Sequence, residues 1–425
     1  MGVKRYVILG NSYAGVFAIE AIRKRDTQGE ITVISREPYH VYARAAIHEY
    51  MDGAIDEARM YYRDKDFYDR HRVTTLLGST VAGISPRESS VVLDSGQKVH
   101  FDRLMISTGG VPITPPIHGS EGPGMFTFTT WDDAKTLRDW IKGRKGARAV
   151  VIGGGLIGLQ CAEGLKHMGV DVTVVELADY VLVKALDQIA AQRVQGWLEE
   201  NGLRIVTGDT VESVLRVKGR VTGVRLKGGG RLKCDTVVLS IGVRPNTGPV
   251  EGSGIKVNRG IMVDNGMQTN IQGIFAAGDV AEAEDFLRKR ADVIPIIPIA
   301  TMQGKIAGSN MAGERRTYPG GLPQNAFQFF GRSVISIGNV IFIDKNDGFE
   351  EIVREEGEVY RKAVLKDGRL VGVLSMNYIA RMGIYNSIIR ARMDVSGIKD
   401  RLLSDSFGFL DLPKTFRDEV LTRPG

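Results

Sequence analysis

Residues 148–176 of the chain read RAVVIGGGLIGLQCAEGLKHMGVDVTVVE. The stretch opens on an apolar run typical of a buried strand, passes through a glycine-rich turn into a helical pattern, and ends on a second apolar run. Glycines stand at positions 153, 155 and 158, and Glu176 follows 23 residues after Gly153. This order predicts a βαβ unit whose turn binds the pyrophosphate of a dinucleotide.

Each glycine of such a turn has a physical reason. The first makes the sharp turn, the second lets the phosphates approach the backbone, and the third lets the helix pack closely on the strand. The helix N-terminus presents unpaired N–H groups and a partial positive charge to the anion. A carboxylate at Glu176 accepts hydrogen bonds from a ribose diol and repels a 2′-phosphate, so the sequence favours NAD over NADP at this turn.

The N-terminal segment repeats the plan with one departure. An apolar run, the turn Gly10–Gly15, a helical pattern and a second apolar run follow one another from residue 4 to residue 35. Ser12 replaces the second glycine, and Ser35 stands at the strand end where an acid is often found. Serine is small enough for close approach, and Glu37 is the candidate ribose ligand. Two copies of one plan predict two bound nucleotides.

The predicted fold class is α/β, with two Rossmann-like dinucleotide-binding domains, the second inserted in the first, and a C-terminal α+β domain. Each βαβ unit is followed by a predicted hairpin-like pair of strands. The pairs are 90–93 with 98–101 and 221–226 with 231–233. The predicted domain bounds are 1–112 with 245–317, 113–244, and 318–425.

The composition is that of a globular protein rather than a fibrous or disordered one. The 425 residues are 43% hydrophobic and 25% charged, with a formal net charge of +6. That small charge, without zinc spacing, an aromatic RNA-binding stretch or a long basic tract, argues against nucleic acid as a partner. No apolar run approaches the ~20 residues of a transmembrane segment. With no leader of signal-peptide form and two cysteines, a cytoplasmic location is expected.

Four segments carry a resemblance to a known family. Gly10–Gly15, Ser107–Gly110, Gly153–Gly158 and Ile274–Asp279 fall in the order found in the FAD-dependent pyridine nucleotide–disulfide oxidoreductases. The match runs from about residue 3 to residue 340. The segment ISREPY at 34–39, followed by Tyr42 and Arg44, resembles the rubredoxin/ferredoxin reductase and nitrite reductase flavin-domain branch.

The resemblance implies FAD on the first nucleotide-binding domain and NAD(H) on the inserted one. It implies that Glu37 binds the adenosine ribose, that Val81 bonds the adenine through its backbone, and that Asp279 binds the ribitol hydroxyls. The implied FAD residues are Gly10, Ser12, Ala14, Gly15, Glu37, Arg44, Val81, Thr108, Gly109, Gly278, Asp279 and Gln303. The implied NAD(H) residues are Gly153, Gly155, Leu156, Ile157, Gly158 and Glu176, with Gly242 at the return from that domain.

The family's redox-active cysteines are missing. The disulfide branch needs a vicinal pair beside the flavin or a single cysteine just after the first βαβ unit, and this chain has neither. Cys161 and Cys234 are interpreted as small buried packing residues. The sequence therefore predicts an NAD(P)H-dependent FAD oxidoreductase without a redox-active disulfide, which exchanges electrons with an iron–sulfur or rubredoxin-like protein. It fits the flavin and NAD subunit of a larger redox complex.

Two departures concern the flavin itself. Glu49 stands where some ferredoxin reductases carry a lysine, and Gln160 where many relatives carry a glutamate near the nicotinamide. If the two face each other, they tune the flavin potential; the alternative is drift on a solvated helix face. The six histidines show no paired ligand spacing, so no metal is expected.

Two alternative functions stay open at this point, and so does the oligomeric state. A peripheral NADH:quinone oxidoreductase is the second enzyme, although its relatives carry Ala-Gln where this chain has Ile299-Ala300. A non-catalytic flavoprotein interaction subunit is the third function. The chain is compatible with a homo- or hetero-oligomer.

Overall fold

The structure is a computed structural model that describes residues 2–341 and 348–422. Within these residues the chain divides into two units. The first contains residues 2–115, 126–144 and 241–321, and the second contains 116–125, 145–240, 322–341 and 348–422. The predicted division at residues 112, 244 and 317 stays a prediction.

The first unit is built on a five-stranded parallel sheet. Its strands lie in the order Ile274–Ala276, Arg103–Ile106, Arg5–Leu9, Glu30–Ser35 and Val73–Leu77. Residues 6–9 of the central strand are almost fully buried, as expected for a parallel strand covered on both faces. Leu9 lies beside Ile34 on one side and Ile106 on the other, so the carboxyl ends of three strands meet at one edge. Ligands of open α/β sheets bind at such an edge.

Two helices of the first unit pack backbone to backbone. Tyr13–Arg25 follows the first glycine turn, and Ile297–Met311 crosses it at two glycines. A Cβ on Gly304 would lie 2.2 Å from the carbonyl oxygen of Ala14, and a Cβ on Gly308 would lie 2.5 Å from that of Ala18. Because side chains cannot occupy these positions, the glycines allow the second helix to reach the edge where the first turn lies.

The remaining elements of the first unit include a small antiparallel sheet. The predicted pair of strands at 90–93 and 98–101 is confirmed, and Val81–Ser85 adds a third strand that the sequence reading missed. Thr130 and Asp133 form a capping box at the start of the helix Trp131–Ile141. The other strands are Ser90–Leu93, Lys98–His100, Gly110–Pro112, Val243–Pro245, Ile261–Met262, Ala281–Glu284 and Ala291–Asp292. The other helices are Ile47–Asp52, Phe67–Arg70 and Trp131–Ile141.

The second unit repeats the parallel arrangement. The strands Arg204–Val206, Asp171–Val175, Arg148–Ile152 and Thr236–Leu239 lie side by side in this order. Ile152 lies between Val175 and Leu239, as Leu9 lies between its neighbours in the first unit. The helices of this half are Leu156–His167 and Gln188–Glu200, and its antiparallel strands are Val211–Val217, Arg220–Leu226 and Arg231–Leu232. A short strand, Met125–Thr127, lies where the chain passes between the units.

The C-terminal part of the second unit is an antiparallel sheet of five strands. They lie in the order Gln324–Phe329, Arg332–Gly338, Arg369–Met376, Val359–Lys366 and Phe349–Glu356. A C-terminal α+β domain was predicted, whereas the edge strand Phe349–Glu356 was missed. The helices Met382–Ala391 and Lys414–Thr422 follow. The predicted α/β class is confirmed.

No helix in the described part of the chain combines the length and the apolar character that a membrane span requires.

Candidate functional site

The first glycine turn, Gly10–Gly15, joins the central strand of the first unit to its helix. Gly10 has φ +111°, a conformation that side chains rarely adopt, and its N–H donates to the carbonyl of Ile34. A Cβ on Gly15 would lie 2.4 Å from the carbonyl oxygen of Gly10. Ser12 is the helix N-cap with φ −135°, and its side chain makes no capping hydrogen bond. The first N–H groups of the helix are therefore left without a side-chain cap.

Three predicted site residues from distant parts of the chain meet beside this turn. The backbone N–H of Gly278 donates to the side-chain oxygen of Gln303 at 2.8 Å. A Cβ on Gly278 would lie 3.4 Å from the Cβ of Ala14. The structure thus brings Ala14, Gly278 and Gln303 together around the carboxyl edge of the first sheet.

Glu37 is held by two neighbouring side chains. The hydroxyl of Tyr42 donates to one carboxylate oxygen at 2.5 Å, and the guanidinium of Arg44 donates to the other. Arg44 also donates to the carbonyl of Thr129 at 2.7 Å. Burial disfavours the charged guanidinium, but Tyr42 and Glu37 outweigh it and raise the pKa of Arg44. The predicted ribose ligand is therefore fixed in place and paired with a permanent cation.

Asp279 is the second acid of this site. Burial raises its pKa to about 6, and the charge of Arg44 opposes that rise only in part. An acid in such surroundings is stabilised by hydrogen-bond donors that favour its charged form. Sugar-alcohol hydroxyls are donors of that kind, so the electrostatics of Asp279 fit the role predicted for it.

The other predicted residues of the first unit lie on its turns and strand ends. Thr108 donates to the carbonyl of Asn246 at 2.8 Å, and Gly109 accepts from the N–H of Asn246 at 2.9 Å. Gly242 has φ +118° and accepts from the N–H of Ile113. Val81 begins the strand Val81–Ser85 opposite Leu93. That Thr108, Gly109 and Val81 bind FAD, and that Gly242 marks the return from the NAD(H)-binding domain, stay predictions.

The second glycine turn, Gly153–Gly158, has the same backbone geometry as the first. Gly153 has φ +110° and donates to the carbonyl of Val175 at 2.8 Å. A Cβ on Gly158 would lie 2.1 Å from the carbonyl oxygen of Gly153. At Gly155, by contrast, no described atom beyond its chain neighbours lies within 4 Å of an added Cβ. Packing therefore explains the glycine at 158 but not the one at 155, which a phosphate approaching the backbone explains instead.

Glu176 is oriented by the backbone of the turn. One carboxylate oxygen accepts from the N–H of Gly154 at 2.6 Å, and the other accepts from the N–H of Ala178 at 2.8 Å. Leu156 and Ile157 begin the helix, with Ile157 exposed at its surface. An acid held beside an uncapped helix N-terminus fits a dinucleotide, with the carboxylate on a ribose and the N–H groups at the phosphates.

The two proposed tuning residues lie in different units. Glu49 is half-buried on the short helix Ile47–Asp52 of the first unit, and Gln160 is half-buried on the helix Leu156–His167 of the second. That they face each other at the flavin stays a prediction.

Both cysteines lie in the described part of the chain, where they are buried, as predicted, and form no disulfide. Burial, with a smaller contribution from the carboxylate of Asp235, raises the pKa of Cys234 to about 12. A thiol in that environment stays protonated, so it is a poor nucleophile.

Two residues of the first unit, Asn11 and Tyr42, make contacts that were not anticipated. The side chain of Asn11 donates to the carbonyl of Tyr39 and accepts from the hydroxyl of Tyr68 at 2.5 Å. Tyr42 was noted only as part of a motif, yet its hydroxyl joins Glu37 to the backbone N–H of Trp131. No spacing rule points to these contacts, since the partners Tyr39 and Tyr68 of Asn11, and Trp131 of Tyr42, are distant in sequence.

Comparisons with known proteins agree with this geometry. Residues 4–304 match the family model described as pyridine nucleotide-disulphide oxidoreductase, and residues 323–393 match the rubredoxin NAD+ reductase C-terminal domain. The chain is 31% identical to the NADH-dependent phenylglyoxylate dehydrogenase subunit epsilon of Aromatoleum evansii, over 94% of this chain and 95% of that protein. It is also 31% identical to the nitrite reductase [NAD(P)H] of Bacillus subtilis (strain 168), over 93% of this chain. The chain spans only 48% of that nitrite reductase.

A solved structure has the same fold. The crystal structure of the covalent putidaredoxin reductase–putidaredoxin complex superposes with a TM-score of 0.83 at 25% identity. The match covers 92% of this chain and 94% of that one.

Proposed function

The chain belongs to the pyridine nucleotide-disulphide oxidoreductase family, and from that premise we propose that it moves electrons between NAD(H) and an iron–sulfur or rubredoxin-like protein. Its cofactors are FAD and NAD(H). When bound, FAD accepts a hydride from NADH and releases electrons singly. The observation that carries the proposal is the pair of glycine turns, each with its own acid, in a chain whose two cysteines are both buried.

We assign FAD to the first glycine turn and NAD(H) to the second. Asp279, with its raised pKa, and Glu37, held by Tyr42 and Arg44, are suited to bind hydroxyl groups. The helix Ile297–Met311 has Pro298 in its first turn and no side-chain cap. Such a terminus stabilises negative charge nearby without a titrating side chain. At the second turn, Glu176 binds a ribose diol and excludes a 2′-phosphate, which favours NAD(H).

We further propose that the protein is the flavin and NAD subunit of a larger redox complex in the cytoplasm. The similarity to a dehydrogenase subunit over 95% of that subunit's length supports a complex. The match of residues 323–393 to a rubredoxin reductase domain supports a small iron-containing protein as the electron partner.

Anaerobic reduction with NADH tests this function. We expect NADH to bleach the visible absorbance of the bound flavin, and a purified rubredoxin or [2Fe–2S] ferredoxin to restore it with matching reduction of the carrier. Ferricyanide serves as a control acceptor that needs no docking surface. Flavin that NADH cannot reduce would disprove an enzymatic role, and rapid reoxidation by a quinone but by neither carrier would favour the quinone reductase.

A further inference from the structure

The segment of residues 177–187 joins Glu176 to the helix Gln188–Glu200 and contacts the second glycine turn. The N–H of Leu182 donates to the carbonyl of Gly154 at 2.9 Å, while the N–H of Gly154 donates to Glu176. Leu182 has φ +57°, an uncommon conformation for a bulky residue that the surrounding structure must maintain. Val181 and Leu186 are fully buried. The position of this segment therefore bears directly on the turn that we assign to NAD(H).

The C-terminal end of the segment is attached to the C-terminal sheet. One carboxylate oxygen of Asp187 caps the helix by accepting from the N–H of Ala190 at 2.9 Å. The other accepts from the ammonium of Lys362 at 2.9 Å and from the hydroxyl of Tyr360 at 3.1 Å. Lys362, which is 4% exposed, also pairs with Glu351. We call Asp187, Glu351, Tyr360 and Lys362 the Lys362 cluster.

The charges of this cluster make Lys362 its centre. A buried cation beside two carboxylates is held in one geometry, and its removal leaves both acids without that counter-charge in a poorly solvated place. Burial and the charge of Asp187 raise the pKa of Tyr360, so its hydroxyl stays a donor. Without the charge of Lys362, we expect the carboxylate of Asp187 to move towards solvent. That movement would displace both the helix cap and residues 177–187.

A second ion pair joins the same helix to the same sheet. Glu200, at the other end of the helix Gln188–Glu200, pairs with Arg332 at 2.8 Å. It stabilises the same packing but lies thirteen positions from Asp187 and outside the segment that contacts Gly154. Loss of the Glu200–Arg332 pair should therefore weaken only the attachment of the helix to the sheet. Loss of the Asp187–Lys362 pair should also displace residues 177–187.

We propose that Lys362 is a positioning residue for NAD(H): through Asp187 it holds residues 177–187 against the second glycine turn, and it thereby links the C-terminal sheet to the affinity for the dinucleotide. The inference rests on the proposed function, because it assigns NAD(H) to that turn. The inference goes beyond that assignment, because it makes the affinity for NAD(H) depend on Lys362, a residue of the C-terminal sheet that acts through residues 177–187.

The test measures NADH binding by anaerobic calorimetry on flavin-loaded protein whose flavin has been reduced beforehand, so that hydride transfer adds no heat. We expect Lys362→Met to weaken binding about 3- to 30-fold, the range of typical coupling energies. The KM for NADH should rise while kcat and flavin content stay near wild type, and amide exchange in residues 177–187 should become faster. Lys362→Arg, which keeps the charge, should restore most of the affinity. Glu200→Gln should leave it unchanged.

Two further variants keep the test decisive. Ile337→Ala removes buried volume from the same sheet, at a residue 4% exposed, and controls for lost stability. Equal weakening by Ile337→Ala and Lys362→Met would overturn the positioning role. If Lys362→Met does not fold, Tyr360→Phe removes a single hydrogen bond of the cluster and should weaken binding by about 2- to 5-fold; unchanged affinity there would overturn the proposal.

The wild-type measurement separates the two hypotheses. Absence of NADH binding to the wild-type protein contradicts the proposed function. Tight wild-type binding, together with unchanged binding and exchange in the Lys362 and Tyr360 variants, contradicts only the positioning role.

Discussion

The two glycine turns share one backbone geometry and differ in how each holds its acid. At the second turn, backbone N–H groups of Gly154 and Ala178 orient Glu176. At the first, the side chains of Tyr42 and Arg44 orient Glu37. The backbone donors contribute dipoles, whereas Arg44 contributes a full charge.

A cation is useful at the first site because a second acid lies there. Asp279 adds a second carboxylate there, and Arg44 lowers the energy of ionising it. Two acids around one fixed cation can both be used to bind hydroxyl groups, which suits a cofactor with a ribose and a ribitol chain. At the second turn, backbone N–H groups take the place of a cation in orienting Glu176. The two βαβ units therefore share the geometry of their glycine turns and differ in the residues that surround the acid.

The largest expected effect distinguishes Gly158, which packs against backbone, from Gly155, which has open space beside it. Gly158→Ala places a Cβ 2.1 Å from a backbone oxygen, so we expect it to lower the free energy of unfolding by about 3 kcal/mol. Gly155 has φ −77° and open space around it. Gly155→Ala should therefore change stability by less than about 1 kcal/mol and instead weaken NADH binding. Denaturant unfolding and calorimetry measure the two effects. Equal destabilisation by both variants would mean that Gly155 serves packing.

The next effect concerns the second acid of the first site, in the flavin-free protein. The pKa of Asp279 rises from 3.8 to about 6 on folding. An acid with a raised folded-state pKa contributes stability that is complete below pH 3.8 and lost as the pH rises through about 6. Asp279→Asn should therefore be more stable than wild type at pH 7, by about 1–3 kcal/mol, and the difference should shrink towards zero at pH 4. Unfolding curves across this range measure it, and a difference independent of pH would exclude ionisation as its cause.

Much of this comparison was accessible from sequence because it depends on local chemistry. The two βαβ units, at residues 148–176 and 4–35, were predicted from the sequence, since apolar runs and turn glycines mark them. The capping box of Thr130 and Asp133 likewise depends on residues three apart. The partners of Glu37 were not predictable, because Arg44 and Tyr42 reach it only through the path of an irregular loop.

The missed strands have physical causes of their own. Val81–Ser85 contains a glycine and a register shift, so its side chains do not alternate between buried and exposed. Phe349–Glu356 is an edge strand in which four of eight residues are glutamates, a composition with low strand propensity. Charged side chains protect such edges from pairing with other chains. From its charged sequence alone, this segment is indistinguishable from a solvent-exposed loop, and only pairing with the neighbouring strand Val359–Lys366 identifies it as a strand.

A smaller effect tests the acid of the second turn. Glu176→Ala should weaken NADH binding about 10-fold and narrow the preference for NADH over NADPH, because the ribose loses its acceptor and a 2′-phosphate loses its repulsion. Glu176→Gln is the matched control, since its side-chain oxygen can still accept a hydrogen bond without the charge. Binding isotherms for both dinucleotides measure the effect. Unchanged selectivity in Glu176→Ala would refute the assignment of this acid to the ribose.

The smallest expected effect lies at the departure that distinguishes the first turn. Ser12 makes no side-chain capping bond, and φ −135° is available to any residue. Ser12→Gly should therefore cost only a few tenths of a kcal/mol in stability and leave FAD binding nearly unchanged, because the phosphates approach the backbone and not the hydroxyl. The reciprocal Gly155→Ser should weaken NADH binding measurably, since it fills the space beside the second turn. Titration of flavin-free protein with FAD checks the first variant. A large loss of FAD affinity in Ser12→Gly would show that the hydroxyl itself binds the cofactor, and the two turns would then differ in mechanism as well as in sequence.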